Sequence, residues 1–368
     1  MERKPGPRIQ IVLGTLIFTA TAILAIGGRG SSFVTPIRQE VSQQKKVEQK
    51  AGRLSEPVRV ATFGTPMWLD GRSPTWANGY VARLTLGNFP SGLEVFDRNG
   101  KLVSEARVSV PGATQAWLVG AVPTKGGGAI ASGQFSTDDE TSDFVTETSV
   151  SGGVVSVIRT DMYLATRMCQ ASDGTVWTLG RDVVKESEHN GEYPLVRQYS
   201  FEKGLLHGYL ARSLVAFQHE GAAGGGEGPN GTFLVCGKDR IAGFLNETNE
   251  YFEIDPAKET VGRWKMEREA LPEGRVTGLG VTDSGRVYAS LFQVPDDTDV
   301  KTHGLFEVRV EAGKATGRWA IVEGTLNSQP RLEDAPKGSF FRLWGADGDE
   351  LVIRRLPDTD MQWVRVTQ

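Results

Sequence analysis

Two short strands around a turn rich in Gly, Asn, Asp or Lys return roughly every 50 residues along this chain, and a fixed period of that size marks a repeat architecture. The turns fall at Asn99-Gly100, Gly152-Gly153, Lys203-Gly204, Ala257-Lys258, Gly313-Lys314 and Asp358-Thr359. A unit this small cannot bury its own apolar face, so neighbouring units must stack into a solenoid or close into a wheel.

One unit reads most clearly. Val276 to Val281 is a strand of small and apolar residues suited to a crowded centre, and Asp283-Ser284-Gly285 turns the chain. Arg286 to Phe292 carries apolar residues on both faces. Leu305 to Val310 then alternates, with Phe306, Val308 and Val310 on one side and Glu307 and Arg309 on the other. Gly313-Lys314 leads to a fourth strand, Gly317 to Val322. Elsewhere, Gly128, Gly174, Gly231 and Gly338 each precede an apolar run and read as entries to second strands. Gly262-Arg263-Trp264 and Gly317-Arg318-Trp319 repeat one tripeptide in neighbouring units. Helical periodicity is nearly absent beyond residue 56.

Six such units fill residues 56–368, and sheets arranged radially bury both faces while leaving short edges. The fold class expected is therefore all-β: a six-bladed β-propeller of four-stranded antiparallel blades. Asp173-Gly174-Thr175-Val176-Trp177 and Asp283-Ser284-Gly285-Arg286-Val287-Tyr288 carry a resemblance to six-bladed propellers of the TolB-like and NHL-like kind. Those motifs are generic to blades, so the resemblance implies a fold and little about activity. A seventh blade stays open if Val58 to Phe63 and Thr65 to Asp70 form a divergent unit.

The amino terminus is of another kind. Arg3, Lys4 and Arg8 precede an uncharged, mostly apolar run from Ile9 to Gly28, closed by Arg29. That length suits a bilayer-crossing hydrophobic helix and also an export signal. An uncleaved anchor over residues 1–28 is favoured, followed by a polar stalk at 29–55. Either way the bulk of the chain is expected outside the cytoplasm, in a periplasm or on a cell surface.

A net charge of -4 excludes a broad phosphate-binding face, and no Lys/Arg cluster with interleaved aromatics is present, so no nucleic acid is expected. Cys169 and Cys236 sit in apolar strand-like stretches. Two buried core residues are the expectation; a single bridge in an oxidising compartment is the alternative.

Acidic residues concentrate where second-to-third-strand loops should lie: Asp138, Asp139 and Glu140; Asp296, Asp297 and Asp299; Asp347 and Asp349. One negative rim would favour basic partners or a hard, oxygen-seeking metal such as calcium. No loop follows the ordered calcium-loop spacing, and beyond that possible calcium no cofactor is expected. Trp68, Trp76 and Tyr80 offer either a stacking platform or a plug at the seam where the wheel closes. Asp70, Asn78, Asp161 and Glu333 are candidate ligands for a lactonase-like metal centre in the channel. His189, His207, His219 and His303 form no zinc-binding pair, and no G-x-S-x-G elbow is present. Gly226 to Gly231 matches G-x-G-x-x-G but opens a strand, so it lacks the helix that motif requires.

The residues thus lead to an extracytoplasmic binding or scaffold module taking a protein or small-molecule ligand at its loop face, with no catalytic residue assigned. A metal-assisted hydrolase is the alternative.

Overall fold

The chain divides after residue 50 into two units, Met1–Lys50 and Ala51–Gln368. The computed structural model describes residues 58–62, 67–68, 75–85, 92–182, 184–185, 192–214, 232–246, 248–267, 275–293, 302–322, 340–356 and 360–366, all in the second unit. The expected anchor and stalk lie outside them. Among the described residues no helix is long and apolar enough to cross a membrane.

Strands β1 (Val58–Thr62) and β2 (Met67–Trp68) come first. Group I holds β3 (Thr75–Ala77), β4 (Tyr80–Thr85), β5 (Gly92–Asp97) and β6 (Leu102–Arg107). Group II holds β7 (Gln115–Pro123), β8 (Ala129–Ser136), β9 (Thr141–Thr148) and β10 (Val154–Asp161). Group III holds β11 (Tyr163–Gln170), β12 (Val176–Asp182), β13 (Pro194–Ser200) and β14 (Gly204–Ala211). Group IV holds β15 (Thr232–Cys236), β16 (Ile241–Leu245), β17 (Glu250–Asp255) and β18 (Thr260–Glu267). Group V holds β19 (Arg275–Val281), β20 (Val287–Gln293), β21 (Thr302–Glu311) and β22 (Lys314–Val322). Group VI holds β23 (Phe340–Asp347), β24 (Glu350–Leu356) and β25 (Asp360–Val366).

Within each group consecutive strands pair antiparallel, and the four-stranded sheets have the form of propeller blades. The first strands touch in sequence, β3 to β7, β7 to β11, β11 to β15, β15 to β19 and β19 to β23, and β23 returns to β3. Hydrophobic cores lie between neighbouring groups. Ala82, Leu93, Ala129 and Ala131 fill the seam of I and II, and Val122, Ile130, Tyr163 and Tyr199 that of II and III. Trp177, Leu195, Ile241 and Phe252 join III to IV. Phe244, Tyr251, Leu279 and Phe306 join IV to V, and Tyr288, Leu305, Leu343 and Leu351 join V to VI. Trp76, Val81 and Val352 join VI back to I. Because both faces of an inner strand meet such seams, β8 and β12 are buried along most of their length rather than on alternate residues.

The fourth strand of group VI comes from the other end of the chain. β1 pairs antiparallel with β25, in the register Val60↔Val366 and Thr62↔Val364. β2 adds to the same strand through Met67↔Met361. The two segments held open for a seventh unit therefore extend group VI. This explains an irregularity in the period. The first five turns are third-to-fourth-strand hairpins, whereas Asp358-Thr359, themselves outside the described residues, separate the second and third strands β24 and β25. The sixth hairpin of that kind does not exist in sequence, because its outer strand is β1.

Two strand assignments need correction. Gly128 and Gly174 do precede second strands, β8 and β12, but positions 231 and 338 precede β15 and β23, which are first strands. A Gly-led apolar run looks the same at either place. The hairpins themselves follow ordinary turn chemistry. Asp97 Oδ1 accepts the amide N–H of Asn99 at 2.8 Å and of Lys101 at 2.9 Å, and Gly100 takes φ +77°.

Four first strands carry a register shift against their second strand, between Leu118 and Gly120, Ala165 and Arg167, Val276 and Gly278, and Leu343 and Gly345. Bulges bend a strand and re-aim the next side chain. Glycine makes the resulting approach feasible: a Cβ at Gly278 would run into the carbonyl oxygen of Leu343 on the next first strand. Two of the bulges share a serine tie. Ser132, opposite Gly120, donates to Ala165 O at 2.7 Å. Ser290, opposite Gly278, accepts from Leu343 N at 3.1 Å.

Cys169 of β11 and Cys236 of β15 form a disulfide, with Cα atoms 5.5 Å apart. The expectation of two unlinked core residues is thereby corrected to the alternative. Adjacent first strands bring positions 67 residues apart in sequence face to face.

Candidate functional site

Each first strand starts at the end of the groups that carries the second-to-third-strand connections. We call this the upper end, and the opposite one, with the first-to-second and third-to-fourth turns, the lower end. Near the bulges the first strands carry arginine among apolar residues. Arg167 reaches across the seam from β11 and donates Nε–H to Thr232 O of β15 at 2.9 Å. Arg342 does the same in the opposite sense, from β23 to Thr277 O of β19 at 3.3 Å. The Arg167 guanidinium lies over Phe233, 5.8 Å from the ring centroid, and that of Arg342 over Trp344 at 4.8 Å. Arg275 opens β19 and is exposed. Trp117 of β7 donates its indole N–H to Gln134 Oε1 at 3.1 Å. The described first strands thus contribute three arginines and a single acid, Asp347, at the far end of β23. Such a lining suits anionic, planar or aromatic ligand groups rather than a divalent cation.

This arrangement departs from the expected metal centre. Asn78 occupies the β3–β4 turn at the lower end, where its side chain donates to Pro123 O at 2.9 Å. Asp161 lies at the upper end, where β10 leads into β11, and its carbonyl accepts from Ser142 Oγ at 2.8 Å. The two therefore do not converge. Asp70 and Glu333 lie outside the described residues, among which no cluster of three His, Cys, Asp or Glu is placed to hold a metal. His207 of β14 faces Glu259 at 3.7 Å; His189 and His219 are outside the description, and His303 is placed only through its pairing in β21.

The acidic positions are also divided. Asp138, Asp139 and Glu140 form a tight turn between β8 and β9, shaped by the Thr137 hydroxyl, which accepts from the Glu140 amide at 3.1 Å. Asp296, Asp297 and Asp299 lie outside the described residues, between β20 and β21. Asp347 and Asp349 sit in the β23–β24 turn, a first-to-second connection, and so at the lower end. There Asp347 and Glu350 accept from Arg98 at 2.6 and 2.8 Å, and Asp349 accepts from Ser284 N at 2.9 Å. These two acids join groups VI, I and V rather than extend an upper rim.

Of the aromatic candidates, Trp76 is buried in the seam of groups VI and I beside Val81 and Val352. That is the plug position and not a surface. Tyr80 is half-buried against the I–II core. Trp68 is placed only through the pairing of β2 with β25.

A further polar constellation is built from acids that read in the sequence as loop residues. Asp143 of β9 is 1% exposed, and neither of its carboxylate oxygens has a hydrogen bond of normal geometry. Burial pushes it up to about 6, against the lowering influence of the Gln134 amide and the Arg181 guanidinium, with nearby Asp182 raising it further. Across the same seam Arg197 stacks 3.8 Å from the Tyr163 ring centroid and faces Asp182 at 3.7 Å. Folding favours protonated Asp143, so its contribution to stability is fully present below the ordinary value near 4 and is lost as pH rises through about 6. Asp143→Asn is expected to gain about 3 kcal/mol over the parent at pH 7.5 and nothing at pH 3.5, at about 1.4 kcal/mol per unit of pKa. Urea unfolding of both chains across pH 3.5–7.5 checks this; an equal difference at all pH values would refute it.

No protein-family model and no curated protein matches the chain. Solved structures with some likeness include the PQQ-bound aldose sugar dehydrogenase of Streptomyces coelicolor, 11% identical over 83% of this chain and 99% of that one, with a TM-score of 0.39. The WD40 domain of Toxoplasma gondii coronin is 9% identical over 86% and 88%, with a TM-score of 0.38. The RRP9 WD40 repeats are 7% identical over 82% and 97%, with a TM-score of 0.43. At these scores the fold assignment rests on the strand pairing.

Proposed function

We propose that residues 56–368 form a six-bladed propeller of the TolB-like or NHL-like kind, working as an extracytoplasmic binding or scaffold module held at a membrane by residues 1–28. Six seams with six cores, and a circuit of first strands returning to β3, support the blade count. The Cys169–Cys236 bridge supports the compartment, since such bonds persist where the environment is oxidising. The observation that carries the binding reading is the lining of the first strands. Where a metal-assisted hydrolase needs converging carboxylates, Arg167 and Arg342 stand over aromatic rings. The upper end, with Asp138, Asp139 and Glu140 and the loop holding Asp296, Asp297 and Asp299, is where we place contact with a partner or ligand.

A photo-crosslinking residue at Asp139 in the native envelope is expected to give a discrete adduct, reduced at least fivefold by a Lys203 placement at the lower end. Chelator-sensitive hydrolysis of lactones by the purified chain would sink this reading in favour of the hydrolase. The same preparation tests calcium: a binding role for the acidic turns predicts a rise in melting temperature at millimolar calcium, and no shift removes it.

A further inference from the structure

Among the described residues, exposed aliphatic side chains gather beside one set of hairpins. Of the nine large apolar residues exposed among the described ones, Leu102, Val150, Val154, Val155, Leu205 and Val261 lie in or just after third-to-fourth-strand hairpins, and Val310 lies just before one. Leu205 is 52% exposed and Val155 61%. Five successive groups thus carry an aliphatic at the lower end, each beside a hairpin. Single exposed apolar residues are ordinary, but their recurrence beside five successive hairpins marks an interaction surface; of the other two described, Val119 lies within β7 and Val184 at the upper end.

The hairpins of this fringe are electrically balanced. The five lower hairpins hold Arg98, Lys101, Lys203, Lys258 and Lys314 against Asp97, Glu202, Asp255, Glu259 and Glu311, and so are balanced. The first-to-second turns of the same end add Asp347, Asp349 and Glu350, so that end as a whole is mildly acidic. Lysine beside aliphatic residues, on balanced hairpins, is compatible with a zwitterionic headgroup layer.

Chain direction adds the third observation. β25 ends, and β1 begins, at the lower end, as their antiparallel register requires. Residue 58 therefore follows on the uncharged run Ile9 to Gly28 at the fringed end, with 29 residues between them. A tether of that length spans at most about 100 Å and holds the domain at millimolar effective concentration near a bilayer, so weak aliphatic insertions suffice.

We propose that the lower end of the domain docks on a lipid bilayer through this aliphatic fringe, turning the upper end toward the aqueous side. The proposal rests on the membrane tether proposed above. Its test uses the full chain reconstituted with phosphatidylcholine vesicles and carrying an environment-sensitive fluorophore at Leu205→Cys, Val155→Cys or, as control, Asp139→Cys. Flotation with the vesicles, with at least threefold quenching by doxyl-labelled lipid at 205 and 155 over 139, is the expected result. Flotation with equal quenching at all three positions overturns the docking and leaves the tether standing. Failure to float overturns both. Crosslinking of 205 to 205 between two chains, without lipid quenching, assigns the fringe to a second copy and also overturns it.

Discussion

Removing the Cys169–Cys236 bridge is expected to cost about 4 kcal/mol, the loop-closure entropy of a chain segment of this length in the unfolded state. The bond closes a loop of 67 residues and joins the first strands of groups III and IV. Cys169 lies in the III–IV core, with Cys236 packed against it. Cys169→Ala with Cys236→Ala keeps small apolar side chains in place and avoids a free thiol, so the loss measured is mainly that of the crosslink. Urea unfolding of this variant should match that of the parent in reductant. A difference from the oxidised parent below about 1 kcal/mol would mean that the inter-strand contacts alone fix this seam.

Gly278→Ala should be nearly as severe, with a loss of about 3 kcal/mol. The bulge in β19 brings its backbone against β23, and an added Cβ meets the Leu343 carbonyl oxygen, a backbone atom already fixed by strand pairing. Ser290, which ties the two groups, also lies against that Cβ position. Backbone cannot give way as a flexible side chain can, so the cost falls at the upper end of the overpacking range. Gly126→Ala is the matched control. Its Cβ would have nothing within 4 Å, and a change of no more than about 0.5 kcal/mol is expected. Equal losses at the two positions, measured by thermal unfolding, would show that chain entropy and not the close approach governs these glycines.

The strands of this protein were legible because period-two alternation and Gly- or Asp-led turns are local signals. Val276 to Val281 and Leu305 to Val310 fall within β19 and β21, and the hairpin at Gly313-Lys314 is real. Pairings between residues far apart were not legible. Nothing near Val58 or Cys169 names Val366 or Cys236 as a partner, so the outer strand of group VI and the crosslink emerged only in three dimensions. Second and first strands share the same apolar, Gly-led entry, which misplaced positions 231 and 338. That slip also set Asp347 and Asp349 beside Asp138, although a strand's two ends lie on opposite sides of the domain. The arginine lining had a faint signal, a single Arg inside each of the apolar runs around Thr166-Arg167-Met168 and Phe341-Arg342-Leu343. Such a residue reads equally as an exposed edge until a bulge shows where it points. Asp143 reads in the sequence as one more acid of the Asp138–Glu140 loop, since burial of a carboxylate is a property of the seam.

The pairing of β1 with β25 has a consequence for biogenesis. Synthesis delivers β1 some 300 residues before its mate. Until β25 leaves the ribosome, group VI has no edge on which β1 can settle. Long-range strand closure of this kind is intrinsically late and slow. A nascent chain caught before residue 360 would be an open array, fit for threading through a narrow pore and exposed to proteases. Only β25 seals it.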